Sequence, residues 1–587
     1  MRPSPPLDEP ALPEPASPAH VPATTPSWRD RFGRPPRRPL LLGLAGSVLM
    51  AIGGFGAGGV LVRDPLLTNS PLGFWRYGHG HQLATILVYA GVVLMAWAWI
   101  QLGREVIAGR VRSRAVLATT AVWTLPMLCC PPLFTRDIYS YLAQGSLPLA
   151  GIDPYEFGPE AMPGVIADNV HYFWQDTPAP YGPLFILIAK GVAAVAGDNM
   201  ILGVLLMRLA LLPGLFLLVW ALPELARRLG GKVPVALWIA VANPMMVVNM
   251  IGGGHNDLLV VGLLAAGAMV TLRKQHVFGI VLVTGAMAVK ASAVVALPFL
   301  VLVWAAYMSG PPVKRILKAI GAGLAVFVLT FAALSLLAGV DIGWLPALSA
   351  PAMIVNWMSI PTAVGQILHG LVGIFVTVPQ GPFIVVTRAL GGILLVTIAV
   401  RQWLAAREGG PDAVRRAGIV LLAVAVLSPA MLPWYPSWGI ALIAAAPWRL
   451  RGLQLVAFGS LMLVIVYNPR GEDELNNWPY LIACGLLALL AAVSLRKRDP
   501  LRLSAGASWR RKQPAVAGQN GSGPAAPQEP VAPKPVAPEA VEVKAVVTPE
   551  PAPATSAPSN GASNGANGAS NGAAKPGAAS GAEQRAG

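Results

Sequence analysis

The chain has 587 residues, 55% of them hydrophobic and 12% charged, with a mean hydropathy of +0.59 and a formal net charge of +16. Soluble globular chains carry about a quarter charged residues, so this depletion excludes an ordinary water-soluble domain. The apolar runs are continuous rather than alternating, which excludes a β-barrel, and the positive charge lies mostly in short segments between them, which argues against a nucleic-acid partner.

In chain order, residues 1–38 are Pro-rich and polar, end in the basic "RDRFGRPPRRP", and read as a disordered cytoplasmic N-terminus without a signal peptide. From 39 to 495, apolar runs of about 17–25 residues recur, long enough to cross a bilayer as helices. The positive-inside rule threads them. Residues 39–62 run outward, 83–102 return to "QLGREVIAGRVRSR", and 115–133 run outward again. A loop of about fifty residues follows, with Asp153, Glu156, Glu160, Asp168 and Asp176 but no Lys or Arg between Arg136 and Lys190. The Lys-bearing 181–197 is short and reads as interfacial or re-entrant.

Residues 200–222 then return to "ELARRLGGK", 233–251 emerge at "GGGHND", and 258–272 go in to "RKQH". A helical hairpin, 277–289 and 292–308, turns near Lys290. Residues 317–339 go out, 361–379 are an ambiguous apolar stretch, 383–401 return, and 417–433 come out at "SPAMLPWYPSW". The runs 438–449, 452–468 and 479–495 complete a count of about 13–14 spans. The expected fold class is an all-α polytopic membrane protein, with its functional domain over 39–498. The tail 499–587, rich in "SNGASNGANGASNGAA", reads as disordered and cytoplasmic. Cys129, Cys130 and Cys484 lie in or beside spans, without metal-ligand spacing or a disulfide framework.

Chemistry concentrates on the outer side. In "TRDIYSYLAQG" (135–145), Thr135 is placed to cap a helix on which Asp137, Ser140, Tyr141 and Gln144 fall at i, i+3, i+4 and i+7. Ile138 and Leu142 lie opposite, so this helix is expected along the membrane surface, apolar side towards lipid or bundle and polar side towards a cavity. In "GGGHND", His255 and Asp257 arrive at the same surface, and polar groups at membrane depth usually face a protein cavity. One His and one Asp are too few for a metal site. Lys290 is a lone cation at the hairpin tip, placed either to snorkel or to neutralise a phosphate. The loops "DPYEFGP", "TPAPYGPLF" and "LPWYPSWG" supply Tyr155, Tyr181, Trp434 and Tyr435, flat rings whose orientation prolines fix.

Together, "TRDIYSYLAQG", "DPYEFGP", "TPAPYGPLF", "ANPMM…GGGHNDLL", "VKAS" and "PWYPSWG" resemble the actinobacterial polyprenyl-phosphomannose-dependent α-1,6-mannosyltransferases of the MptA/MptB type, closer to MptB, within the GT-C glycosyltransferases. The resemblance covers about 40–495. It implies a plasma-membrane enzyme with its active site on the extracytoplasmic face. It also implies a polyprenyl phosphomannose donor and a lipid-linked mannan acceptor of lipomannan or lipoarabinomannan type, extended at a 6-hydroxyl. Transfer would invert, with Asp137 as general base; Lys290, His255 and Arg136 would meet the donor phosphate. Tyr141, Tyr155, Tyr181, Asp257, Trp434 and Tyr435 would contact sugar, acceptor or isoprenoid. No nucleotide-binding loop is present in the sequence, and relatives of this fold differ in whether they use a divalent metal. The competing readings are a lipid-linked-sugar transporter or flippase, and another GT-C activity such as an arabinofuranosyltransferase.

Overall fold

A computed structural model describes residues 35–68 and 70–496. The segments expected to be disordered, apart from residues 35–38, lie outside the described residues. Within them the architecture is all-α: no strand is present, and a single bridge joins Tyr467 and Asp473.

The first helices are α1 (Arg37–Ala57), α2 (Gly78–Ile107) and α3 (Ser113–Cys129), followed by the short α4 (Asp137–Ser146). Next come α5 (Pro183–Ala196), α6 (Met200–Leu229) and α7 (Val233–Ala240), which leads at a 48° bend into a π-helical segment, Met245–Gly252. Then follow α8 (Asp257–Leu272) and α9 (His276–Val289), and after Lys290 a 3₁₀ turn, Ala291–Ala296, running into α10 (Leu297–Ala305). The remaining helices are α11 (Pro312–Ala338), α12 (Ile360–Gly373), α13 (Gly381–Ala405), α14 (Gly410–Leu427), α15 (Ser437–Ile443), α16 (Leu450–Ile465) and α17 (Trp478–Ser494).

Among the described residues, five helices, α1, α2, α6, α11 and α13, are long and apolar enough to span a membrane alone, and α7 with its π segment makes a sixth if counted as one bent span. Several other expected spans are shorter. The 16 residues of α8 rise only about 24 Å, less than a bilayer core. All of them are buried, as a helix apolar on every side requires. It forms the centre of the bundle. The segment expected to be interfacial, 181–197, is the 14-residue α5, and the hairpin expected near Lys290 breaks there, with Lys290 itself extended at φ −147° and ψ 125°.

Helices surrounded by lipid gain little by burying apolar area, so close backbone approach at small residues holds them together. Gly214 of α6 and Gly262 of α8 meet in this way: a Cβ at residue 262 would fall 2.0 Å from the Gly214 carbonyl oxygen. Gly262→Ala must therefore push α6 from α8. A stability loss of about 1–3 kcal/mol is expected, read from thermal unfolding in detergent. By contrast, only 6% of the apolar window of α11 and 17% of that of α13 is buried. Their bare apolar faces fit lipid contact.

Candidate active site

The start of α4 is fixed from two sides. Thr135 Oγ1 accepts from the Asp137 N–H at 3.0 Å, the cap expected of Thr135 although Arg136 is the residue flanking the helix. The C-terminal loop supplies the second support: the Phe134 N–H donates to the Pro469 carbonyl at 3.0 Å, and Gly471 lies against Thr135. A Cβ on Gly471 would come within 2.8 Å of Thr135 Cα, and φ of +97° disfavours other residues there.

Residues 138–146 of α4 are all buried, so its apolar side faces the bundle rather than lipid. Its polar face divides. At about 100° per residue, Ser140 and Gln144 lie on one side of Asp137 and Tyr141 about 40° to the other. Accordingly Asp137, Ser140 and Gln144 line a cavity, whereas Tyr141 packs edge-on against Tyr181 and Phe185, with centroids 5.4 and 4.9 Å away.

Asp137 lies where two cavities meet. The inner one, about 240 Å³, is lined by Asp137, Ser140, Gln144, Tyr181, Lys290, Tyr435 and Trp438 at a polar end, with Leu348, Ala352, Ile354, Val424 and Pro429 among its apolar wall. The outer one, about 570 Å³, is lined by Asp137, Arg136, Trp174, Asn356, Trp357, Trp434, Tyr467, Glu472 and Asp473 among others. Burial raises the Asp137 carboxyl from 3.8 to about 6, against the opposing pull of Lys290 and the Thr135 hydrogen bond. Its proton affinity therefore lies close to neutrality, as perturbed carboxyls at functional sites often do.

Lys290 is not the lone cation expected. Its Nζ lies 2.8 Å from Asp257 Oδ2, and Asp257 Oδ1 accepts from Trp438 Nε1 at 2.5 Å. The ammonium also stands over the rings of Tyr435 and Trp438, at 4.8 and 5.5 Å, and those rings stack 4.3 Å apart. Asp257 was expected to contact sugar; it is completely buried, pairs with Lys290 as its counter-ion and lines neither cavity. His255 also differs from expectation. It lines neither cavity, is completely buried, stacks on Trp434 at 3.6 Å, and has Nδ1 3.5 Å from Asp137 Oδ2. Burial and Lys290 hold its imidazole uncharged, so it backs the carboxylate as a neutral group.

The other expected residues separate. Arg136 lines the outer cavity and donates to the Asn169 carbonyl at 3.1 Å. Trp434 lines the outer cavity, Tyr181 and Tyr435 the inner. Tyr155 lines neither and is buried against Gly343. Among the described residues, no group of three or more His, Cys, Asp or Glu could hold a metal ion.

Three contributors had no sequence signal that motif reading would register. The loop 340–359 walls both cavities, tied by Arg388 of α13, which donates to the Ala352 and Ile354 carbonyls at 2.6 Å each. The loop 466–477 brings Glu472 and Asp473. Arg208 of α6, only 3% exposed, donates to the carbonyls of Leu128 and Cys130, at 3.1 and 2.5 Å, and to that of Gly252. It clamps the end of α3 to the glycine turn that carries His255. Hydrogen bonds from a charged donor contribute about 1.5–3 kcal/mol each. Arg208→Met is expected to cost about 3 kcal/mol or more in thermal unfolding, and to abolish activity by releasing that turn.

Comparison with known proteins gives a consistent result. A family model described as alpha-(1->6)-mannopyranosyltransferase, N-terminal domain, matches residues 40–306, and an MptB C-terminal domain model matches 361–497. The alpha-(1->6)-mannopyranosyltransferase A of Mycobacterium tuberculosis is 41% identical, over 77% of this chain and 89% of that protein. A protein of the same name from Corynebacterium glutamicum is 29% identical over 76% of this chain and 96% of its own. A probable alpha-(1->6)-mannopyranosyltransferase of Mycolicibacterium smegmatis is 33% identical, over 75% and 84%. No solved structure matches.

Proposed function

Because the chain belongs to the alpha-(1->6)-mannopyranosyltransferase family, a group of membrane glycosyltransferases, we propose that it moves mannose from polyprenyl phosphomannose to the 6-hydroxyl of a lipid-linked α-1,6-mannan, with inversion, in the manner of a GT-C enzyme. The site would lie on the extracytoplasmic face of the plasma membrane, where the threading of basic loops puts α4.

The observation that carries this reading is the placement of Asp137 between two chemically different cavities. The inner cavity combines a cation with an apolar wall, suiting a sugar phosphate on an isoprenoid. The outer combines Trp174, Trp357 and Trp434 with Glu472 and Asp473, suiting a neutral glycan. The acceptor 6-oxygen attacks the anomeric carbon as the bond to the phosphate oxygen breaks. The hydroxyl proton passes to Asp137, which must be ionised to take it. Charge gathers on the departing polyprenyl phosphate, and Lys290, held by Asp257, faces it. A β-linked donor gives an α-linked product, so one carboxylate suffices and no covalent sugar–enzyme intermediate forms.

Membranes carrying the protein are expected to transfer radiolabelled mannose from polyprenyl phosphomannose to a short α-1,6-mannoside. Absence of transfer, with the protein present and folded, would overturn the reading.

A further inference from the structure

The mechanism leaves two side chains of α4 unused. Ser140 and Gln144 are 4% and 2% exposed, and Ser140 Oγ and Gln144 Oε1 have no hydrogen-bond partner. A buried polar atom without a partner costs about 1–3 kcal/mol. Ser146, on the same helix, avoids that by donating to the Leu142 carbonyl at 2.9 Å; Ser140 makes no such bond. Orphaned hydroxyls occur elsewhere: those of Ser47, Thr119, Thr284 and Ser335 line neither of the two cavities, whereas that of Ser292, two residues after Lys290, lines the inner one as well. Ser140 and Gln144 both line the inner cavity, on the helix face that begins with Asp137.

Resting on the reading of the inner cavity as the donor site, we propose that Ser140 and Gln144 bind hydroxyls of the donor hexose and determine which sugar is transferred. The chemistry divides the cavity. The cation at Lys290 suits the phosphate and the apolar wall suits the isoprenoid, leaving the Gln144 amide oxygen and the Ser140 hydroxyl on α4, with Ser292, Tyr181 and Tyr435 across from them in the lining, as partners for a polyol. The amide oxygen accepts from a sugar hydroxyl, and the serine hydroxyl donates or accepts. Sites that hydrogen-bond a substrate hydroxyl discriminate sharply against analogues that misplace it, because the buried protein group is then left unpaired.

The test compares polyprenyl phosphomannose with polyprenyl phosphoglucose, its C2 epimer, and measures inhibition by sugar-free polyprenyl phosphate. Gln144→Met and Ser140→Ala are expected to reduce the preference for the better donor, as a ratio of kcat/KM, by about tenfold or more. Inhibition by polyprenyl phosphate should stay within about twofold of wild type, because Lys290 and its Asp257 partner are unchanged. An unchanged preference in both variants would overturn the assignment, as would weakened polyprenyl phosphate binding in step with lost turnover, the sign of a merely disordered α4. If the wild type prefers glucose and the variants flatten that preference, the mannosyl-donor reading fails while this inference stands. If it prefers mannose and the variants keep the full preference, the inference fails alone.

Discussion

Asp137→Asn is expected to lower mannosyl transfer by about 10²–10⁴-fold while leaving a folded, membrane-inserted protein. The asparagine keeps the shape and its backbone N–H still donates to Thr135 Oγ1, but it cannot take the acceptor proton. Stability should not suffer. The folded carboxyl titrates near 6, above its ordinary 3.8, so the fold favours the protonated form and stability contributed by this group is lost as pH rises through that window. The neutral amide escapes that loss, and the variant should be at least as heat-stable as wild type at pH 7. For wild type, kcat/KM should climb about tenfold per pH unit below about 6 and level off above it. An initial-rate profile from pH 4.5 to 8 checks this; a flat profile, or wild-type transfer by Asp137→Asn, would remove Asp137 as the base.

Lys290→Met should damage both activity and stability, through separable causes. Loss of the ammonium removes the group we propose to face the leaving phosphate, so donor use should weaken far more than acceptor use. It also strands Asp257, completely buried, with only the Trp438 N–H for company. Breaking a buried ion pair from one side typically costs about 3–5 kcal/mol. The double variant Lys290→Met/Asp257→Asn should recover much of that stability, since a neutral amide still accepts from Trp438, yet recover no activity. Thermal unfolding together with donor kinetics separates the two effects. Equal weakening towards donor and acceptor would assign Lys290 to the fold and not to the phosphate.

The helices were legible because membrane spans announce themselves in composition. The run read as 258–272 is α8, Asp257–Leu272, and 277–289 is α9, His276–Val289. Span length was less legible. Interior helices such as α8 need not match the bilayer, and apolarity alone does not separate a helix bathed in lipid from one enclosed by protein. The polar face of α4 followed from periodicity, but three of its four residues reach the cavity; Tyr141 lost that place to packing against α5. Lys290 was visible as an oddity in an apolar run, yet its pairing across 33 residues to Asp257 was not, since the pair forms only when α8 and α9 lie side by side. Tyr155 showed the limit of aromatic-loop reasoning: a ring beside prolines is equally suited to seal a loop.

Arg388 has a consequence beyond holding a loop. It ties α13, a helix with little of its surface inside the protein, to Ala352 and Ile354 in the wall of the inner cavity. A lipid-bathed helix tilts when the hydrocarbon around it thins or thickens, at a cost of fractions of a kcal/mol per ångström of mismatch. Through that guanidinium, a tilt of α13 would be carried to Ala352 and Ile354, so a helix with an open apolar face is mechanically joined to the wall of the inner cavity.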